Sequence, residues 1–169
     1  MRNDIISITD IDAFVFDFDG VLTNNVVYLQ QSGEESVCCS RADGLAFDLL
    51  RKMEKPAYIL STEQNPVVTA RANKLKIKAI QGISNKVEGI KRLAKDNDYS
   101  LERIFYVGND LNDYRIMRLC GYTACPLDSH EKIKEIAHYQ LKTDGGNGVV
   151  REILEDLFKL DFIQILYPN

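Results

Sequence analysis

The fold of this chain is predicted from one stretch, Ile11-Asp-Ala-Phe-Val-Phe-Asp-Phe-Asp-Gly-Val-Leu-Thr23. Residues 13–16 are apolar, β-forming and without helical periodicity, as is typical of a buried strand in a parallel sheet. Asp17 and Asp19 follow, and because side chains two apart on a strand share a face at about 7 Å, they repel unless a cation joins them. The stretch predicts a strand that ends in an acidic site; for these residues alone, an acidic turn is the alternative.

The bulk composition predicts one globular domain over residues 1–169. The 169 residues are 45% hydrophobic and 27% charged, which is enough to bury a core. A net charge of -4 without a basic run argues against nucleic acid or an anionic membrane as a partner. No apolar run reaches the roughly 18 residues of a membrane span, so a cytoplasmic location is predicted. The four cysteines lack Cys-x-x-Cys spacing and only two histidines are present, which favours free thiols over zinc or disulfides.

The rest of the chain alternates between strand-like and helix-like segments. Two β-rich runs around Gly33 predict a hairpin insertion at about residues 26–40, directly after the first strand. Short apolar runs at 57–60, 78–80, 104–107 and 122–125 alternate with amphipathic segments. We expect Asp43 and Ser129 each to cap a helix, and Ser84 or Asn85 to cap another. The pattern predicts an α/β fold, a doubly wound Rossmann-like parallel sheet with a small β-hairpin insertion.

Polar side chains follow several of these predicted strands. They are Asp17 and Asp19, then Ser61, then Lys86, and finally Asn109, Asp110 and Asp113. Sites in doubly wound sheets lie at the carboxyl ends of strands, so we expect these groups to converge. Singly, each has a structural alternative as a turn, a helix cap or a solvated side chain, but their joint occurrence favours one site.

The converging residue types suit phosphoryl transfer. Carboxylates and amide oxygens are ligands that Mg²⁺ accepts, while the Ser61 hydroxyl and the Lys86 ammonium can donate to phosphoryl oxygens. Asp17 can attack phosphorus and become an aspartyl phosphate. Asp19 can protonate the leaving alkoxide and then activate water. A response-regulator receiver uses similar groups, but it would carry its phosphoacceptor after a later strand and does not explain the hairpin.

Four segments resemble the motifs of the haloacid dehalogenase superfamily: Asp17-Phe-Asp-Gly-Val-Leu-Thr23, Ser61, Ser84-Asn-Lys86 and Gly108-Asn-Asp-Leu-Asn-Asp113. The short chain, the hairpin, Ala42-Asp-Gly44, Gln81-Gly82 and Gly145-Gly-Asn-Gly-Val-Val-Arg-Glu152 are similar to its capless sugar acid phosphatases, which act on 3-deoxy-D-manno-octulosonate 8-phosphate or nonulosonate 9-phosphates. The resemblance implies a Mg²⁺-dependent phosphatase of a cell-surface sugar pathway, such as lipopolysaccharide or sialic acid biosynthesis. It also implies a homotetramer whose hairpins form a barrel-like core and whose subunits close each other's sites.

The resemblance also assigns roles to individual residues. The implied catalytic residues are Asp17, Asp19, Ser61 and Lys86. The implied metal ligands are Asp17, Asp19, Asn109, Asp110 and Asp113. The implied substrate-binding residues are Asp43, Gly44, Thr62, Glu63, Arg71 and Lys74, with the arginine reaching the substrate carboxylate across a subunit boundary.

This chain departs from the family pattern at two positions. Thr62-Glu63 stands where the octulosonate phosphatases usually carry Gly-Arg, and Glu63 with Lys74 resembles the enzymes of nine-carbon acids, unless the two merely form a surface ion pair. The expected substrate is therefore a nonulosonate 9-phosphate of the deaminated neuraminate or N-acylneuraminate type, with octulosonate 8-phosphate as the alternative. Asn109 stands where the family commonly has Asp, as in the phosphatase-like domain of animal sialic acid cytidylyltransferases, which serves assembly. A weakly active tetramerisation module of such an enzyme is therefore a further alternative, but the retained Asp17 favours an active phosphatase.

Overall fold

The computed structural model describes residues 6–168, which build a parallel sheet between helices and a separate antiparallel hairpin. The strands are β1 (Ala13–Phe16), β2 (Thr23–Leu29), β3 (Glu35–Cys39), β4 (Ala57–Leu60), β5 (Lys78–Ile80), β6 (Ile104–Val107), β7 (Tyr122–Cys125) and β8 (Tyr139–Gln140). The helices are α1 (Arg41–Lys52), α2 (Val67–Leu75), α3 (Lys86–Asp96), α4 (Tyr114–Met117), α5 (Glu131–Ile136), α6 (Val149–Glu152) and α7 (Phe162–Leu166). A π-helical segment, Ile153–Leu157, continues α6, and 3-10 turns lie at Ile8–Asp10, Leu101–Arg103 and Leu111–Asp113.

The six-stranded sheet has the order β5-β4-β1-β6-β7-β8, and each neighbouring pair is parallel. This confirms the predicted doubly wound Rossmann-like fold, and the separate pair β2 and β3 confirms the hairpin insertion. Phe16, the last residue of β1, is in register with Ile59 of β4 and Val107 of β6. The polar residues that follow these three strands therefore emerge side by side at one edge of the sheet.

Alternate side chains of the central strand enter two apolar layers. Phe14 and Phe16 pack among the buried residues of one face, with Phe47 and Phe158, while Val15 packs on the opposite face. All four residues of β1 are buried, which explains why the strand reads as a continuous apolar run rather than as an alternating one. The sheet is thereby covered on both sides, and its carboxyl edge is held rigidly.

Two helix starts differ from the sequence prediction, and one agrees. The side chain of Asn85 accepts from the amides of Val87 and Glu88, which confirms it as a cap. The cap of α1 is Ser40 rather than Asp43, and the cap of α5 is His130 rather than Ser129. Both errors amount to a shift of one to three residues, since several polar side chains near a helix start can accept the same amides.

Asp43 instead caps a helix that is distant in sequence. Its Oδ1 accepts from the amides of Val150, at 2.8 Å, and Arg151, at 3.2 Å, in the first turn of α6. α6 follows Gly148, which has no side chain to provide a cap, so Asp43 supplies the missing acceptor. This contact joins α1 to the C-terminal part of the chain.

Two further sequence expectations concern the membrane and the thiols. None of the helices between residues 6 and 168 combines the length and apolarity that crossing a membrane requires. All four cysteines are free, with Cys38 exposed and Cys120 and Cys125 buried.

Candidate active site

A pocket of about 310 Å³ lies at the carboxyl ends of β1, β4 and β6. Its walls include Asp17, Asp19, Ser61, Thr62, Asn109 and Asp110. A larger groove, of about 690 Å³, lies between β5 and α3 and contains none of the predicted catalytic residues. The smaller pocket is the candidate site, because it gathers side chains from three separate strand ends.

Lys86 lies behind Asp17, which lines the pocket, and this buried side is called the rear of the pocket below. Its Nζ lies 2.7 Å from Asp17 Oδ2 and 2.7 Å from Asp113 Oδ1, and all three side chains are buried. Burial alone would lower the pKa of Lys86, but the two carboxylates raise it above its ordinary value, so the ammonium form is retained. These ion pairs explain why a lysine is tolerated in the first turn of a helix.

Both carboxylate oxygens of Asp113 accept hydrogen bonds from other groups of the chain. Its Oδ1 also accepts from the hydroxyl of Tyr106, at 2.7 Å, and its Oδ2 accepts from the amides of Asn109, at 2.9 Å, and Asp110, at 3.5 Å. Asp113 is fully buried and does not line the pocket. This placement disagrees with its predicted role as a metal ligand, because its oxygens are already occupied; it makes Asp113 the partner of Lys86.

The two acids after β1 lie in different environments. Asp17 is buried, its Oδ1 accepts from the amide of Phe18 at 2.8 Å, and burial together with the Asp113 carboxylate raises its pKa against the opposing effect of Lys86. Asp19 is partly exposed, and burial followed by the nearby Glu63 carboxylate raises its pKa. A raised pKa suits the proton-holding role predicted for Asp19.

Asn109 lies beside the two acids. A Cβ at Gly20, where φ is +76°, would collide with the Asn109 carboxamide, so the absence of a side chain at Gly20 provides the space that Asn109 occupies. Within residues 6–168, no three or more His, Cys, Asp or Glu side chains form a group that could hold a metal. Two carboxylates and one amide oxygen nevertheless fit Mg²⁺, which binds through one or two carboxylates and keeps several waters.

Asp110 lines the pocket mouth and is exposed. Its Oδ1 accepts from the amide of Leu111 at 2.7 Å, which starts the short 3-10 turn Leu111–Asp113. Of the five predicted metal ligands, the pocket therefore brings together four, and it leaves Asp113 behind Lys86.

Glu63 is held at the front of the pocket by its own loop. Its Oε1 accepts from the amides of Gln64, at 2.6 Å, and Asn65, at 2.7 Å. The Nδ2 of Asn65 donates to Glu35 Oε2 on the hairpin, at 3.1 Å. In the described part of the chain no ion pair joins Glu63 to Lys74, so the alternative of a surface pair is not supported.

The remaining predicted substrate-binding residues lie away from the pocket. Arg71 donates to the carbonyl of Ser40 at 2.7 Å, Asp43 caps α6, Gly44 lies within α1, and Lys74 is exposed on α2. Arg71, Asp43 and Gly44 lie near the end of the hairpin, where Ser40 leads into α1, and Lys74 does not line the pocket. Thr62 and Glu63 are the predicted substrate residues that lie at the pocket or beside it.

Two features of the site were missed from the sequence. The first is the Tyr106 hydroxyl, because a tyrosine in an apolar strand is ordinarily interpreted as core. The second is the packing of a glycine loop on the acidic turn: the amide of Gly146 donates to Val21 O at 3.0 Å, and a Cβ at Gly145 would lie 2.2 Å from Gly20 O. The repeated glycines were the available signal for this close approach.

A buried aspartate paired with lysine, beside a second acid and a hydroxyl at the carboxyl edge of a parallel α/β sheet, defines a hydrolase of the phosphoryl-transfer class. The chain belongs to the haloacid dehalogenase-like hydrolase family, whose model matches residues 51–153. This confirms the resemblance inferred from the four motifs.

Individual relatives agree with this assignment. A protein described as a HAD family hydrolase from Streptomyces avermitilis is 39% identical, with a TM-score of 0.88 over 92% of this chain and 89% of its own. The 3-deoxy-D-manno-octulosonate 8-phosphate phosphatase of Yersinia pestis is 29% identical over 86% of this chain and 79% of its own. The corresponding enzyme from Moraxella catarrhalis, solved with magnesium, phosphate and its sugar acid, is 28% identical, with a TM-score of 0.85 over 89% and 87% of the two chains.

Proposed function

We propose that this protein is a Mg²⁺-dependent phosphatase that hydrolyses a sugar acid phosphate, with a nonulosonate 9-phosphate as its preferred substrate. The observation that carries the proposal is the position of Lys86 Nζ, 2.7 Å from Asp17 Oδ2, at the rear of a pocket that also contains Asp19 and Ser61. We propose that Asp17 serves as nucleophile, Asp19 as acid/base, and Ser61 and Lys86 as donors to the bound phosphoryl group.

In the proposed reaction Asp17 attacks phosphorus and forms an aspartyl phosphate, while Asp19 gives its proton to the leaving alkoxide. Asp19 then accepts a proton from the water that cleaves the acyl phosphate. Lys86 and Ser61 donate to the phosphoryl oxygens, and Lys86 offsets the charge that develops on them. Asp17, Asp19 and Asn109, with Asp110 at the mouth, are the residues that would hold Mg²⁺, whose positive charge would keep Asp17 ionised and offset the charge of the phosphate.

The preference for a nine-carbon acid rests on the charge at the front of the pocket. Glu63 and Glu35 both raise the pKa of Asp19, after the larger effect of burial, so both carboxylates lie close enough to repel it. An acidic entrance disfavours a substrate carboxylate held close to the phosphate and suits a longer, hydroxyl-rich substrate. We propose Glu63 as the selector, and Arg71 and Lys74 as residues that bind the substrate of a neighbouring copy.

Hydrolysis of 3-deoxy-D-manno-octulosonate 8-phosphate is the second candidate. It is favoured by the relatives of that name, which align with 86% of this chain. The weakly active tetramerisation module considered above has less support, because Asp17, Asp19, Ser61 and Lys86 are retained in a common arrangement.

We propose a cytoplasmic homotetramer whose chains each form one domain over residues 1–169, without nucleic acid or membrane partners. The hairpin supports this assembly: Val26, Val27, Tyr28 and Leu29 are between 48% and 70% exposed, which is unusual for four consecutive apolar residues. Light scattering of the wild type and of Leu29→Lys tests the assembly, and a monomeric wild type contradicts it.

A substrate panel tests the catalytic proposal. Phosphate release is measured from nonulosonate 9-phosphates, octulosonate 8-phosphate and unrelated sugar phosphates, with Mg²⁺ and with EDTA. We expect the highest kcat/KM with a nonulosonate 9-phosphate and no turnover in EDTA. A preference for the eight-carbon acid selects the second candidate, and failure of every ester at high Mg²⁺ favours the assembly module.

A further inference from the structure

Tyr106 carries its hydroxyl into the fully buried part of one of the two apolar layers. It lies on β6, is fully buried, and packs in the cluster that contains Val15, Leu60 and Ile116. Its hydroxyl lies 2.7 Å from Asp113 Oδ1, and because an ionised carboxylate can only accept, the tyrosine is the donor. A phenylalanine would fill the same space, so apolar packing alone does not account for the hydroxyl.

The acceptor of this hydrogen bond is also the acceptor of the catalytic lysine. Asp113 Oδ1 receives Lys86 Nζ and the Tyr106 hydroxyl at the same distance, 2.7 Å. The other oxygen is anchored by the backbone amides of Asn109 and Asp110. Both oxygens of the Asp113 carboxylate therefore accept hydrogen bonds. Because the Tyr106 hydroxyl occupies one side of Oδ1, it determines the direction from which the Lys86 ammonium can bind that oxygen.

We propose that Tyr106 is a positioning residue that, through Asp113, holds the Lys86 ammonium at the rear of the pocket, where a phosphoryl oxygen binds. The inference rests on the proposed phosphatase function. Without the hydroxyl, Asp113 Oδ1 has a free lone pair, and the ammonium can shift along the carboxylate toward it and away from the phosphoryl group. Hydrogen bonds to charged groups are strong, so a rate effect of about tenfold is expected.

The test compares Tyr106→Phe with Tyr99→Phe. The control removes a hydroxyl that lies 3.0 Å from the hydroxyl of Tyr58, a pair that includes none of the catalytic residues. Tyr106→Phe is expected to lower kcat about tenfold and to weaken the binding of inorganic phosphate several-fold by calorimetry, with the Kd of Mg²⁺ near that of the wild type. The melting temperature should fall by a few degrees, because a buried hydrogen bond to a charged group is lost. Tyr99→Phe is expected to leave kcat and phosphate binding unchanged.

A double-mutant cycle separates positioning from a structural effect. If Tyr106 acts through the lysine, the Tyr106→Phe substitution should weaken phosphate binding when Lys86 is present. When it is added to the Lys86→Met variant, it should have no further effect. An equal effect in both backgrounds overturns the inference, as does a variant that changes the melting temperature while kcat and phosphate binding stay constant. A wild type that neither hydrolyses esters nor binds phosphate overturns the proposed function itself, whereas an active wild type with an unaffected Tyr106→Phe overturns this inference alone.

Discussion

The rear and the front of the pocket are built differently. At the rear, Lys86, Asp113 and Tyr106 are buried, and each donor meets an acceptor at 2.7 Å. At the front, Glu63 and the hairpin residue Glu35 lie near Asp19, and the hairpin exposes apolar side chains beside them. The rear is formed by buried side chains of one chain, while the front adjoins exposed apolar side chains of the hairpin.

This difference separates the reaction from the choice of substrate. Partners buried in a low-dielectric interior hold fixed distances, so the proposed chemistry at phosphorus depends on the fold of a single chain. Arg71 and Lys74, the cations proposed to bind the substrate carboxylate, lie away from the pocket of their own chain. The specificity of the enzyme is therefore expected to depend on assembly, whereas its nucleophile does not.

Asp17→Asn is expected to have the largest effect on kcat, and it tests whether the buried residues at the rear of the pocket perform the reaction. The amide is isosteric, and its oxygen can still accept from the Phe18 amide, so the fold should persist. It cannot attack phosphorus, and the loss of a nucleophile typically lowers kcat by about 10⁴-fold or more. Phosphate release measures the rate, and circular dichroism with a melting curve is the control. Activity within tenfold of the wild type would remove Asp17 as the nucleophile.

Asp43→Asn tests the buried carboxylate that joins the hairpin base to α6. Burial raises the pKa of Asp43 to about 6, above its value of 3.8 in the unfolded chain, so the folded state binds the proton more tightly. Between pH 3.8 and about 6, Asp43 binds fewer protons in the unfolded chain than in the folded state. The free energy of unfolding therefore falls as the pH rises through this range, by roughly 2 to 3 kcal/mol in total.

Urea unfolding at pH 4, 5, 6 and 7 measures this effect as the difference between Asp43→Asn and the wild type. We expect the amide variant to gain stability relative to the wild type as pH rises, because it has no proton to lose. Asp17 and Asp19 titrate in both proteins, so their contributions cancel. A difference that is constant with pH would mean that Asp43 is ionised as easily in the folded state as in the unfolded chain.

The sequence was sufficient to predict the features that depend on local pattern. The apolar runs located β1, β4, β6 and β7, and the residues after them converged as expected because parallel strands share a carboxyl edge. Features that depend on distant partners were not predictable in this way. Asp43 caps a helix 107 residues away, and the Tyr106 hydroxyl finds Asp113 only once β6 and the following turn are folded. The two-residue strand β8 was too short to show a periodicity.

Asn109→Asp tests the proposed metal ligands, which lie between the rear and the front of the pocket. A third carboxylate beside Asp17 and Asp19 should attract a divalent cation more strongly, and we expect the Kd of Mg²⁺ to fall about tenfold. Titration calorimetry measures it directly. Asn112→Asp is the matched control, because it adds the same charge at an exposed position of the same pocket. Equal effects of the two variants would mean that Asn109→Asp acts only through long-range charge and that Asn109 is not a metal ligand.

Glu63→Arg is expected to have the smallest effect, confined to the front, where it should change the choice of substrate more than the rate. Replacing a carboxylate by a guanidinium near Asp19 offers a partner to a substrate carboxylate held close to the phosphate, so the ratio of kcat/KM for the eight-carbon acid over the nine-carbon acid should rise about five- to tenfold. Glu63→Gln separates charge from loop structure, because its side-chain oxygen can still accept from the amides of Gln64 and Asn65. If the ratio moves equally in both variants, loss of the negative charge is sufficient and the loop does not select the substrate; if it moves in neither, Glu63 is not the selector.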